Sequence, residues 1–413
     1  MRNGTSPVYS APGAPEAIAL REGPAAAVRA ALVAARERTQ RLAADFRAAL
    51  GPRPHVPYAQ ELNPPLWELG HVAWFQEWWV LRNPQRALGA RADPGVARTA
   101  SLLPSADAWY DSGKVAHRTR WDLPLPDADA TADYLQRTLV ASLRELDALP
   151  PGADADALYF FRLAALHEQM HAEAAAYMGR ALGIPLGEEE RAPTVAHTGE
   201  LKVPGGAFTL GSAGAGFAFD NELTAHAVEV GPFAIDAEPV SWGAFLPFVE
   251  EGGYDDAQWW TDSGRAWLAS LHQRRPAGLR RSAAGWELFR QGGWQALDDN
   301  EVAVHVSAHE AEAWCRWAGR RLPTEAEWEC AAFTVPGFRW GQAWEWTASV
   351  FEPYPGFAPH PYVDYSRPWF GTRRVLRGAS PATAPALAHA RYRNFFEPQR
   401  RDVFAGFRSV RVD

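Results

Sequence analysis

Between Pro24 and Gly51 the apolar residues Val28, Leu32, Leu42, Phe46 and Leu50 recur mostly every three or four positions, the period of one helical face. Proline opens this Ala-rich stretch and glycine closes it, so the pattern predicts a first helix. A second is expected over residues 65–82, ending before Asn83-Pro84 because proline disfavours helical geometry in the residue before it. Leu135, Leu139, Leu143 and Leu146 stripe a third helix over 130–149, and a fourth runs from Asp156 to Leu182, stopped by Gly183. Four amphipathic helices of such length predict a four-helix bundle over residues 25–183. The connection from Asn83 to Asp129 is long for a bundle, and its aromatic and basic stretch from Trp109 to Trp121 marks it as functional.

After a Pro/Gly/Glu-rich linker at 184–200 the pattern changes. Short strands, turn residues and Trp-rich irregular stretches alternate over 201–413, with helices expected at Ser307–Ala318 and Thr324–Phe333. Glu327 stands three residues after Thr324, the spacing of a capping box. The expected architecture is therefore α+β in two domains, a helical bundle followed by a loop-rich domain. Residues 1–24, rich in Ala, Pro, Gly and Ser without a long apolar core, are expected to form a flexible tail and not a signal peptide.

Composition narrows the function. The 413 residues carry 41 Lys+Arg and 49 Asp+Glu, a net charge of −8, which disfavours a protein that wraps nucleic acid. No window approaches 18 consecutive apolar residues, so no membrane span is expected. The 2 cysteines, Cys315 and Cys330, cannot staple so long a chain, and a cytoplasmic location is expected. The 19 Trp, 20 Phe and 11 Tyr are the excess that needs an account, because each buried indole must find a partner for its N–H.

Three histidines stand on apolar helical stripes. His167 and His171, in His167-Glu168-Gln169-Met170-His171, are four residues apart and share a face; His71 lies on the stripe of Trp67, Trp74, Phe75 and Trp78. Three buried imidazoles without partners are costly, and a metal ion removes that cost. Three metal readings follow. The string H-E-x-x-H suggests a zinc peptidase with Glu168 as general base. The pair Glu68-x-x-His71 and Glu168-x-x-His171 suggests a di-iron carboxylate site, with Glu37 and Glu145, one from each remaining helix, completing it. A mononuclear site of His71, His167 and His171 suits iron, copper or zinc and leaves positions open for substrate and dioxygen.

The second half carries PGGAFTLG at 204–211, WCRWAGRRLPTEAEWE at 314–329, WEWT at 344–347, VLRG at 375–378 and GFR at 406–408. These strings resemble the formylglycine-generating-enzyme (sulfatase-modifying factor) fold, a variant of the C-type-lectin fold. Formylglycine-generating enzymes use a paired-cysteine copper site late in the chain. No cysteine follows Cys330, which disfavours that activity.

A DinB-like four-helix bundle with this histidine pattern, joined to that fold, resembles the EgtB-like sulfoxide synthases of ergothioneine biosynthesis across nearly the whole chain. Asp220-Asn221-Glu222, Glu251-Gly252-Gly253-Tyr254 and Arg393-Asn394-Phe395-Phe396 add to the likeness. The resemblance implies a non-heme Fe(II) bound by His71, His167 and His171, with O2 as co-substrate. It implies that Asn394 and Phe395 help hold hercynine, whose trimethylammonium group suits an aromatic site. It also implies a tyrosine acid near Phe351–Tyr354, where Tyr354 is the candidate, and donor contacts from Arg118, Phe396 and Arg400. Sulfoxide synthases commonly read HEQQH where this chain has Met170. In those that take γ-glutamylcysteine, an acidic residue stands where this chain has Phe396. The loop at 109–124 resembles the selenoneine synthase (SenA) branch, which joins hercynine to a selenosugar. The expected activity is thus carbon–selenium bond formation at the hercynine imidazole. The alternatives are a sulfoxide synthase using cysteine or γ-glutamylcysteine, and a lectin-like binding module with structural zinc.

Overall fold

The computed structural model describes residues 8–187, 193–196, 199–214, 216–290 and 292–412. Six helices precede the first strand: α1 (Pro15–Glu22), α2 (Ala25–Leu50), α3 (Pro65–Gln76), α4 (Ala106–Tyr110), α5 (Ala128–Asp147) and α6 (Ala155–Ala181). The long helices α2, α3, α5 and α6 form the expected bundle, and their ends follow local chemistry. Asp127 and Asp154 cap α5 and α6 by accepting from the Ala130 and Ala157 N–H groups, both at 2.9 Å. Pro65 sits at the start of α3, and Gly51, at φ 86°, lets the chain leave α2 in a conformation that few other residues adopt. The α3 axis continues as a π-helical turn over Glu77–Leu81. The long connection is ordered, with α4 and 3-10 turns at Arg86–Arg91 and His117–Asp122.

A charged pair lies in the bundle core. Arg36 of α2 donates to both carboxylate oxygens of Glu168 on α6, at 2.7 and 3.0 Å, and to Gln76 at 2.7 Å. Both partners are about as buried as residues can be, so neither can lose the other without leaving an isolated interior charge.

The second half is built from small sheets and four helices. Strands β1 (Glu200–Val203), β2 (Gly206–Leu210), β3 (His226–Val230) and β4 (Phe233–Asp236) lead to α7 (Trp242–Glu250) and α8 (Asp262–Ser270). Then come β5 (Leu279–Ser282), β6 (Gly285–Arg290), β7 (Gly293–Ala296), α9 (Ala308–Trp317), β8 (Arg320–Arg321) and α10 (Glu325–Thr334). The chain closes with β9 (Ala343–Val350), β10 (Arg374–Ala379), β11 (Asn394–Phe396), β12 (Ala405–Gly406) and β13 (Val410–Arg411). One sheet has the order β1-β4-β13-β8 and another β11-β10-β9-β12; β2-β3 and β5-β6-β7 are separate antiparallel units. Both expected helices are present, and each starts with a capping box, Ser307 with Glu310 and Thr324 with Glu327.

Several indoles of this domain are interior groups with paired N–H donors. Trp328 donates to Glu345 at 2.8 Å, Trp346 to the Val306 carbonyl at 2.7 Å, and Trp344 to Glu173 of α6 at 2.6 Å. Ser380 and Thr383 also donate to Glu173, so one buried carboxylate joins the two halves.

The start of the described chain differs from expectation. Residues 8–24 are not a loose tail: Tyr9 bridges to Trp340, Gly13 bridges to His389, and Arg21 of α1 makes a bidentate pair with buried Glu222 at 2.6 and 2.9 Å. Alternating small residues gave no periodic signal because the partners of this segment lie hundreds of positions away. Of the expected linker, residues 188–192, 197 and 198 lie outside the described residues; Thr194 bridges to Glu301.

Candidate metal centre

Helix α3 carries His71 and α6 carries His167 and His171, one turn apart. One ring nitrogen from each lies within 4.8 Å of the others. Each ring is fixed from behind. His71 uses Nδ1 to donate to the Tyr110 carbonyl at 2.7 Å, and Trp67 stacks on it with centroids 4.9 Å apart. Phe75 stacks on His167 at 3.5 Å and 6°. His171 directs Nδ1 to Glu68 at 2.5 Å. Gly70 permits the first of these supports: a Cβ there would stand 2.1 Å from the Tyr110 ring, so only glycine lets α4 lie this close to α3.

With Nδ1 of His71 and His171 occupied as donors, their Nε2 lone pairs are left to face inward. The Nε2 atoms of His167 and His171 are 3.2 Å apart. Two lone pairs at that distance repel unless a cation or proton lies between them. A second ring proton is disfavoured, because burial and then the neighbouring His171 push His71 down to about 3, and burial with both neighbours holds His167 well below the usual histidine range, so these rings stay neutral and each keeps one nitrogen lone pair for a metal. The residues therefore fit a divalent metal with a taste for imidazole, and three such ligands leave coordination positions open. Glu68 supplies the outer support. Burial alone would raise its pKa, but the electrostatic contact and hydrogen bond with the His171 ring prevail and hold it down to about 2. Asn63 donates to it at 2.5 Å, and Arg120 lies 3.8 Å over the Trp67 ring with its charge on the same carboxylate.

This geometry separates the readings left open by the sequence. Glu168 is committed to Arg36 and faces away from the triad, so a peptidase general base is missing. Glu68 contacts a histidine and is not itself in the converging group, Glu37 is exposed and Glu145 pairs with Arg86, so the di-iron carboxylate set does not assemble. The mononuclear triad does.

A wall from the second domain faces the triad. The Tyr362 ring stands edge-on to Phe75 at 4.9 Å and to His167 at 6.1 Å. Tyr365 donates to Tyr392 at 3.1 Å, and Tyr392 donates to the Met170 sulfur at 3.1 Å. Phe395 stacks on Phe351 at 4.1 Å and presents its face to the edge of Tyr365 at 5.9 Å, while Asn394 accepts from the Phe395 N–H. Met170, Asn394 and Phe395 thus lie on or beside this wall. Phe396 lies next to it on β11, under the Arg400 guanidinium at 5.2 Å. Arg400 itself pairs with Asp402 and lines a cleft of 650 Å³ between the two halves, with Glu61 and Arg373.

Two expected residues lie elsewhere. Tyr354 donates to Glu325 at 3.2 Å, accepts from Arg377 at 3.0 Å and lies under Arg393 at 4.0 Å; burial, then Glu325, raises its pKa, and its hydroxyl belongs to this ion network. Arg118 stacks over the exposed ring of Tyr58 at 4.6 Å, whereas Arg120, two residues on, turns to the metal side. Sequence reasoning missed Tyr110, at the end of the one-turn helix α4, and Tyr362, Tyr365 and Tyr392, which sit in loops and short turns without periodicity. The one available signal was Tyr362-x-x-Tyr365, an aromatic pair in a stretch otherwise rich in proline and charge.

Comparison with known proteins places these features. Residues 186–340 and 336–412 match the model of the sulfatase-modifying factor enzyme 1-like domain. The chain is 34% identical over 447 aligned positions to the hercynine oxygenase of Mycolicibacterium smegmatis, covering 91% of this chain and 96% of that protein. It is 33% identical to the hercynine oxygenase of Mycobacterium tuberculosis, covering 85% and 91% respectively. The formylglycine-generating enzyme of Streptomyces coelicolor matches at 30% over 49% of this chain and 83% of that protein.

Proposed function

Given that the chain belongs to the hercynine oxygenase family, a bundle joined to a sulfatase-modifying factor domain, we propose that it oxidatively couples a thiol donor to the imidazole of hercynine. The observation that carries this reading is the converging triad of His71, His167 and His171 under a tyrosine and phenylalanine wall. Iron, when bound, supplies a redox centre with positions open to a donor and dioxygen.

The remaining work falls to side chains. Phe395 and Tyr365 offer ring faces and edges to a trimethylammonium group, and Asn394 a polar contact beside them. Tyr392 spends its proton on a thioether, the weakest of the side-chain acceptors. A substrate oxygen or sulfur arriving there is a better acceptor, so the Tyr365–Tyr392 pair is the proton donor of this site, in place of Tyr354. The reaction balances as hercynine plus thiol plus O2 giving the sulfoxide-linked product plus water: one oxygen atom goes to sulfur, the other leaves with the two hydrogens.

A second reading, a selenosugar donor, is favoured by Phe396. An aromatic ring at that position offers no carboxylate to an amino-acid ammonium group, and a sugar needs none. One assay tests both. Protein prepared without oxygen and reconstituted with Fe(II) is given hercynine and, in turn, cysteine, γ-glutamylcysteine, a thiosugar and a selenosugar. Hercynine-dependent oxygen uptake is expected, with a product one oxygen heavier and two hydrogens lighter than the sum of its parts. Uptake with no donor above background would overturn the reading, and the preferred donor decides between sulfur and selenium.

A further inference from the structure

A cavity of 300 Å³ opens between α2, α3, α5 and α6 and is lined by bundle residues alone. Its rim is at the surface, where Ala44, Arg47 and Ala132 are exposed, and its walls are apolar, from Leu42, Phe46, Leu135 and Met178. Its floor is the hydrogen-bonded pair Glu68–His171, the back of one metal ligand. The aromatic wall that faces the triad comes from the second domain and contributes nothing to this cavity. We infer that the cavity is a binding and entry site for dioxygen, reaching the triad from the bundle side while organic substrates approach from the second domain.

The inference rests on the oxygenase reading, which requires a diatomic gas, but the cavity itself has properties that select one. An apolar cavity of about 150 Å³ stays dry and takes up xenon or benzene, because water inside would forgo its hydrogen bonds. This one is larger, and of the buried polar groups in its lining only the Thr39 hydroxyl lacks a partner: Arg47, at the mouth, pairs with Asp129, and Glu68 with His171 and Asn63. Hercynine and an ionic donor would lose their hydration in such a space, whereas dioxygen has none to lose. Ala172 and Ala175 of α6 line the cavity with the smallest apolar side chains, and a larger one there would take up part of its volume.

The test uses the whole protein under xenon pressure, without metal, in crystals or by 129Xe resonance. Xenon is expected in the cavity and lost from it in Ala175→Phe. Should that variant fold poorly, Ala132→Phe at the exposed rim serves the same purpose. In iron-loaded protein the same substitutions are expected to raise KM for dioxygen severalfold and leave KM for hercynine where it was. An empty cavity under xenon, or a filled cavity with KM for dioxygen unchanged, would overturn the inference. Xenon bound but no hercynine-dependent oxygen uptake at any oxygen concentration would instead sink the oxygenase reading, and the entry role with it.

Discussion

Replacing Gly70 with alanine tests the support of His71 directly. In a helix interior alanine is favoured over glycine by about 1 kcal/mol, so local propensity predicts a more stable protein. The structure predicts the reverse. The new Cβ would lie 2.1 Å from the Tyr110 ring, about 1.3 Å inside the distance at which ordinary contact begins, and the obstacle is a rigid phenol with under 1% of its surface exposed. Overpacking of this kind costs about 1–3 kcal/mol, and relieving it moves α4 away from α3. The Tyr110 carbonyl then leaves the His71 Nδ1, since a 2.7 Å bond lengthened by more than an ångström is no longer a bond. Loss of such an outer partner lowers metal affinity by about 10–100-fold. The assay is a Co(II) or Fe(II) binding titration of Gly70→Ala, alongside its thermal unfolding without metal. Gly179→Ala is the control, because its new Cβ meets only the flexible end of Leu186 at 2.8 Å and no histidine support. If Gly70→Ala bound metal as tightly as the parent chain, the orienting role of Tyr110 would be refuted.

Three other substitutions probe the site and its frame. Tyr392→Phe removes the hydroxyl now given to Met170 and is expected to lower kcat by about 10²–10⁴-fold while metal affinity stays the same, read by steady-state kinetics and titration. Glu168→Gln breaks the interior pair with Arg36 and is expected to cost about 3–5 kcal/mol of unfolding free energy, yet the folded fraction keeps its metal and its turnover, whereas loss of a catalytic base would abolish turnover. Glu325, where burial opposes and the charges of Arg393 and Arg377 win, has a pKa below its unfolded value of 4.5. Its stabilisation is complete above that value and is lost as pH falls through the depressed one, so Glu325→Gln should flatten the acid limb of a Tm–pH profile; an unchanged limb would contradict the pairing.

The parts of this molecule that could be read in advance are those where local chemistry decides. Asp127, Asp154 and Gly51 end helices by groups within a turn, and the i, i+4 spacing of His167 and His171 needs only a helix to put both on one side. The triad was legible for that reason. The proton donor was not, because Tyr365 and Tyr392 are placed by β10, β11 and the loops around them, where spacing along the chain says nothing about direction. Arg118 and Arg120 show the same limit on a smaller scale: in a 3-10 turn two residues apart point about 120° apart, so one reaches Tyr58 and the other Trp67. Glu168 was ambiguous because its partner Arg36 is 132 positions away.

The anchoring of α1 sets an order in time. Its Arg21 pairs with Glu222, 201 positions later. At ribosomal rates of about 5–20 residues per second, α1 waits roughly 10–40 s for that partner, long after the bundle helices can have closed on one another. Gly13 waits longer still, since its partner His389 follows Glu222 in the chain. An element synthesised early is therefore among the last to find its place, and the latch between the two halves is fastened only once both have been made.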